Sequence, residues 1–212
     1  MTVEAKICGL STPETVDAAV AGGARWIGFN TYPRSPRYIS TDTLRALARR
    51  VPETVGRVGL FVDTDDALID ERLAAGALDL LQLHGSETPE RVADIKRRTG
   101  KPVMKVIRVA GAADVEHGIA AYAAVADRLM FDAAGGVLPG GNAKAFDWTI
   151  LSGRAVPVPW LLAGGLTPDN VAEAVRITGA RCVDVSSGVE ATRGVKSIEL
   201  IKAFLERVRA IG

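Results

Sequence analysis

The chain has 212 residues, 48% of them hydrophobic and 24% charged, with a formal net charge of +1. That length allows a large core in one or two domains, and the composition is that of an ordinary globular protein. The near-neutral balance argues against a nucleic-acid or membrane partner recognised through basic excess. No uncharged apolar run reaches membrane-spanning length; the longest, near residues 155–168, is broken by Pro157, Pro159 and Gly164-Gly165. The start, Met1-Thr2-Val3-Glu4, has neither a basic segment nor an apolar signal core, so the expected location is the cytoplasm.

In chain order, short β-rich runs alternate with helix-period runs. The strand candidates are residues 4–8, 25–30, 55–62, 78–83, 102–109, 128–132, 158–163 and 182–186. Amphipathic stretches fall at 13–21, 41–50, 65–74, 89–99, 112–126, 147–151, 168–178 and 197–209. In the last of these Ile198, Ile201, Phe204, Leu205 and Val208 share a face that Lys202, Glu206 and Arg209 largely avoid. An internal similarity supports a repeat. Thr12-Pro13 leads through a helix to Gly23-Ala24-Arg25, and Thr167-Pro168 leads to Gly179-Ala180-Arg181; Gly76-Ala77 precedes the fourth strand. Thr-Pro starts a helix because the hydroxyl caps and proline has no N–H to orphan, and glycine past a helix end can turn left-handed. Eight units without a long linker predict a single domain over 1–212, a compact (β/α)8 barrel that leaves no sheet edge. The rival is an open doubly wound sheet, which loses support because no Gly-x-Gly-x-x-Gly follows the first strand.

The first strand ends Lys6-Ile7-Cys8-Gly9, and a thiol at a strand's carboxyl end sits where parallel α/β folds place their chemistry. Cys8 is the candidate base. The other cysteine, Cys182, opens the last strand. About four residues of ~3.3 Å rise would separate the two, so two free thiols are expected, Cys182 as a small core side chain. Asp132 closes strand six and is a candidate general acid, provided burial raises its pKa. Gly164-Gly165 and Ser186-Ser187-Gly188 follow strands seven and eight, where barrels commonly seat a phosphate on backbone N–H groups. Arg37, after strand two, could clamp a carboxylate bidentately. Lys6 and Asp184 fall on neighbouring strands of a closed barrel and are expected to form a buried ion pair beneath the site. Gln82 and His84 share a face of strand four, His84 in a hydrogen-bonding role, while His117 falls on a helix surface.

Six strings resemble phosphoribosylanthranilate isomerases, in family order and across essentially the whole chain. They are Lys6-Ile7-Cys8-Gly9-Leu10, Ser35-Pro36-Arg37, Gln82-Leu83-His84-Gly85, Phe146-Asp147-Trp148, Leu162-Ala163-Gly164-Gly165-Leu166 and Asp184-Val185-Ser186-Ser187-Gly188-Val189-Glu190. The resemblance implies an Amadori rearrangement of N-(5-phosphoribosyl)anthranilate to 1-(2-carboxyphenylamino)-1-deoxyribulose 5-phosphate, a step of tryptophan synthesis. It makes Cys8 the general base and Asp132 the general acid, and it associates Arg37 with the anthranilate carboxylate. Asp184 and His84 join Arg37 as candidate substrate contacts, and Gly141 joins the phosphate site. After Gly140-Gly141 the family has Thr or Ser and then Gly, whereas here Asn142-Ala143 stand; a positive φ at Ala143 would be costly, so the loop after strand six is expected to close differently.

This chemistry requires no metal and no organic cofactor, because the substrate's own nitrogen is the electron sink. A free thiol at ~8.5 is only a few per cent thiolate at neutral pH, and Lys6 or the helix near Pro13 is expected to correct this. The expected partner is a small phosphosugar, with no nucleic acid and no membrane, and the expected assembly is a monomer with a homodimer as the alternative. Two rival functions remain: a Schiff-base lyase on an inward lysine such as Lys6 or Lys105, and a catalytically silent sugar-phosphate-binding barrel.

Overall fold

The computed structural model describes residues 2–75, 78–134 and 145–211. Eight parallel strands close into a barrel in sequence order: β1 (Glu4–Cys8), β2 (Trp26–Asn30), β3 (Gly56–Phe61), β4 (Leu80–Leu83), β5 (Val103–Val109), β6 (Arg128–Ala133), β7 (Trp160–Leu162) and β8 (Cys182–Val185). The ring shuts where β1 pairs with β8, with Lys6 opposite Asp184. Around it lie α1 (Pro13–Ala21), α2 (Thr41–Ala48), α3 (Asp66–Ala74), α4 (Pro89–Thr99), α5 (Ala112–Tyr122), α6 (Val171–Thr178) and α7 (Ile198–Arg209). Beyond β8 a small antiparallel hairpin, β9 (Glu190–Thr192) and β10 (Val195–Lys196), folds back.

Local chemistry accounts for the element ends. Thr12, Ser40, Asp65, Thr88 and Ser197 each accept a backbone N–H three residues on, capping α1, α2, α3, α4 and α7. Left-handed Gly100 and Gly179 close α4 and α6. The strand alternation separates two cores. Outward residues such as Ile7, Phe29, Leu81, Phe131 and Val183 pack with Val16, Leu44, Val92 and Phe204 of the helices. Inward residues Val58, Leu80, Met104, Val106, Met130 and Leu161 fill the barrel.

The structure corrects several expectations. Residues 147–151 form only a short 3-10 turn, Trp148–Leu151, with Asp147 capping it. Thr167-Pro168 opens a turn rather than the helix: Asn170 Oδ1 accepts from the Thr167 N–H, and α6 starts at Val171. β4 and β7 are shorter than the apolar runs that predicted them, and the hairpin was not foreseen. Lys105 lies between inward Met104 and Val106 and so points out of the barrel, where it pairs with Glu87 at 2.7 Å beneath the Tyr122 ring. It is not an inward lysine. Gly76-Ala77, Gly141 and Asn142-Ala143 lie outside the described residues.

Candidate active site

β1 delivers Cys8 to the carboxyl end of the barrel, and both cysteines are free and buried. Cys182 pairs with Glu4 at the far end of the same strand, joins the interior core, and is pushed up to about 12 by burial. Room for Cys8 comes from Gly28 on β2, where a Cβ would stand 2.9 Å from the sulfur and 3.1 Å from Lys6 Nζ. Gly9 next to it, at φ +78°, leaves space for the Arg37 side chain, whose Cδ a Cβ would approach to 2.7 Å.

One cavity at this end gathers Cys8, Arg37, His84, Asp132 and Asp184 with Gly164, Gly165, Ser186, Ser187 and Gly188. Every predicted site residue among those described therefore faces the same opening. Asn30, Leu60 and Gln82 also line it. The two glycine turns touch through their backbones: a Cβ on Gly188 would lie 1.8 Å from the Leu166 carbonyl oxygen. A side chain there would force the turns apart.

Lys6 and Asp184 form the expected ion pair at 2.6 Å, with the lysine fully buried. Burial alone would pull the ammonium down, but Asp184 and Cys8 beside it hold it above the ordinary lysine value. Cys8 departs from expectation. Burial pushes its thiol up despite the opposing influence of Lys6 and Lys196, so the resting thiol keeps its proton at neutral pH. His84 Nε2 stands 3.2 Å from Asp132 Oδ2, out of line for a hydrogen bond, and Nδ1 is 3.2 Å from the Gln82 amide nitrogen.

Arg37 is buried and its Nε and Nη2 are held by Glu190 at 2.6 and 2.9 Å. That edge cannot clamp a substrate, which leaves the edge formed by Nη1 and the second hydrogen of Nη2. Glu190 also accepts from Lys196 Nζ at 2.8 Å and from the Gly194 N–H at 2.9 Å. Burial would raise its carboxyl, but the Arg37 hydrogen bond and the Lys196 charge overcome this and hold it at about 2. Burial draws Lys196 below the ordinary lysine value. Glu190 stood inside a recognised string without a role, and Lys196 stood in none; the Arg193-Gly194 turn between them was the available signal of a hairpin.

A closed (β/α)8 barrel whose titratable side chains and glycine turns meet at the carboxyl ends of its strands belongs to the class of barrel enzymes. A family model described as N-(5'phosphoribosyl)anthranilate (PRA) isomerase matches residues 5–207. The N-(5'-phosphoribosyl)anthranilate isomerase of Paramagnetospirillum magneticum is 54% identical over 212 residues, covering 99% of this chain and 98% of that one. The crystal structure of phosphoribosyl anthranilate isomerase from Thermotoga maritima superposes with a TM-score of 0.90 at 33% identity, covering 99% and 100% of the two chains. A phosphoribosyl anthranilate isomerase solved with reduced 1-(o-carboxyphenylamino)-1-deoxyribulose 5-phosphate gives 0.84 at 32% identity, again covering 99% and 100%. The chain belongs to the phosphoribosylanthranilate isomerase family.

Proposed function

We propose that the protein converts N-(5-phosphoribosyl)anthranilate to 1-(2-carboxyphenylamino)-1-deoxyribulose 5-phosphate, with Asp132 as general acid and Cys8 as general base. The observation that carries this reading is the shared cavity: a carboxyl from β6 and a thiol from β1 open onto one space beside the turns after β7 and β8. Asp132 gives its proton to the ribose ring oxygen, the C1–O bond breaks, and the nitrogen lone pair forms an iminium. Cys8, as thiolate, removes the C2 proton, and those electrons return to nitrogen as an enolamine. Tautomerisation places a proton on C1 and removes the one on O2, so the rearrangement consumes no proton overall. The thiolate fraction of Cys8 is small at rest and grows as pH rises, and the Lys6 and Lys196 cations favour its charged form.

In this reading the glycine turns and Ser186-Ser187 receive the phosphate, Arg37 meets the anthranilate carboxylate through its free edge, and His84 lines the pocket beside Asp132. A monomer is the proposed working unit. The Schiff-base alternative is disfavoured because Lys6 is locked on Asp184 with its proton held tightly, and Lys105 faces away. The test is anthranilate fluorescence during turnover by wild type, Cys8→Ala and Asp132→Asn. Each variant is expected to lose at least about a hundredfold in kcat, and full activity in either would remove that residue from its role.

A further inference from the structure

We infer that Lys196, on β10, is a positioning residue that holds the seat for the substrate's phosphate and the seat for its carboxylate in one frame. The inference rests on the function proposed above and adds to it a residue outside every recognised string.

Lys196 is buried, and its ammonium spends its three N–H groups within the protein. They go to Glu190 Oε1 at 2.8 Å, the Ser186 carbonyl at 2.8 Å and Ser186 Oγ at 3.2 Å. None is left for a substrate, so its effect on substrate binding passes through its partners. Through Glu190 it reaches Arg37: the carboxylate that Lys196 anchors is the one that fixes Nε and Nη2 and sets the plane of the guanidinium. Through Ser186 it reaches the turn after β8. In a trans peptide the C=O and N–H point in opposite directions. Tying the Ser186 carbonyl to Lys196, with the Val189 N–H as its second donor at 3.3 Å, therefore aims the Ser187 N–H the other way, and among the described residues that N–H donates to no backbone carbonyl. Ser186, Ser187 and Arg37 all line the cavity. The buried cluster of Arg37, Lys196 and Glu190 carries one net positive charge, placed between the seats for two anionic groups.

A hairpin staple would use the same contacts, so the test must read each seat separately. Full-length wild type, Lys196→Met and Glu190→Gln are titrated calorimetrically with inorganic phosphate and with anthranilate, alongside thermal unfolding and steady-state kinetics on phosphoribosylanthranilate. Lys196→Met is expected to weaken both ligands about tenfold or more, the effect of losing a hydrogen bond to a charged group. KM should rise with them, and kcat should fall as well, because removing the Lys196 charge also disfavours the Cys8 thiolate. Glu190→Gln cuts the link to Arg37 and leaves the link to Ser186, so it should weaken anthranilate and spare phosphate. Lys196→Met that binds both ligands as wild type, or loses only one, overturns the inference. If Lys196→Met does not fold, Glu190→Gln decides: unchanged anthranilate affinity, or equal loss of both ligands, overturns it. Wild type that fails to turn over phosphoribosylanthranilate would instead overturn the proposed function.

Discussion

Gly28 shows how a single residue without a side chain shapes this site. It lies on β2 beside Cys8, and an added methyl would fall within 3.1 Å of the Cys8 sulfur, the Cys8 Cα and the Lys6 nitrogen together. Gly28→Ala is expected to cost about 1–3 kcal/mol by overpacking and to lower kcat by displacing the thiol; urea unfolding and fluorescence turnover read the two effects. Cys8 and Asp132 were legible in the sequence because each ends an apolar strand run, where the two-residue period fixes which face a side chain takes. The preference of the Cys8 thiol for its proton was not legible. It depends on how burial weighs against two cations, one of them 188 residues away along the chain. Arg37 was visible as a cation, but its commitment to Glu190 was not.

Among the elements, the seam between β1 and β8 carries the most distinctive energetics. Lys6 and Asp184 pair across it, beneath the cavity and next to a mostly apolar barrel interior. Removing one partner leaves an uncompensated buried charge, so Lys6→Met or Asp184→Asn alone should cost on the order of 3–5 kcal/mol. The double variant Lys6→Met/Asp184→Leu should recover most of that loss, because two apolar side chains need no counter-charge. Equilibrium unfolding of the three variants measures this, and single substitutions costing under about 1 kcal/mol would show that the pair is not the anchor. This pairing could be anticipated from strand order alone, since a closed ring makes the first and last strands neighbours. The hairpin could not. Its strands are too short for a periodic signal, and its place over the rim depends on Glu190 and Lys196 finding Arg37 and Ser186. The turn at Thr167-Pro168 misled because Asn170, three residues on, captures the Thr167 N–H and delays the helix.

For the molecule as a whole, the eightfold alternation of strand and helix made the barrel legible from end to end, apart from the start of α6 and the 3-10 turn before β7. Its sensitivity to acid follows from the same buried charges. An unfolded glutamate takes up its proton near 4.5, whereas folded Glu190 does so only near 2. Across that interval the unfolded chain binds more protons, so the contribution of Glu190 is complete above about pH 5 and is lost as pH falls towards about 2. Denaturant unfolding between pH 5 and pH 3 should show a steeper loss in wild type than in Glu190→Gln; parallel curves would show that the carboxylate is not held low in the folded protein.

The seam also governs timing. Lys6 and Asp184 are 178 positions apart, so the ring cannot shut until nearly the whole polypeptide has been made. Until then Lys6 lacks its counter-charge and the Cys8 sulfur lacks the wall on the β8 side. The last strand to arrive thus seals the barrel and turns an open, modifiable thiol into an enclosed one, and a half-synthesised chain has neither a finished pocket nor a protected base.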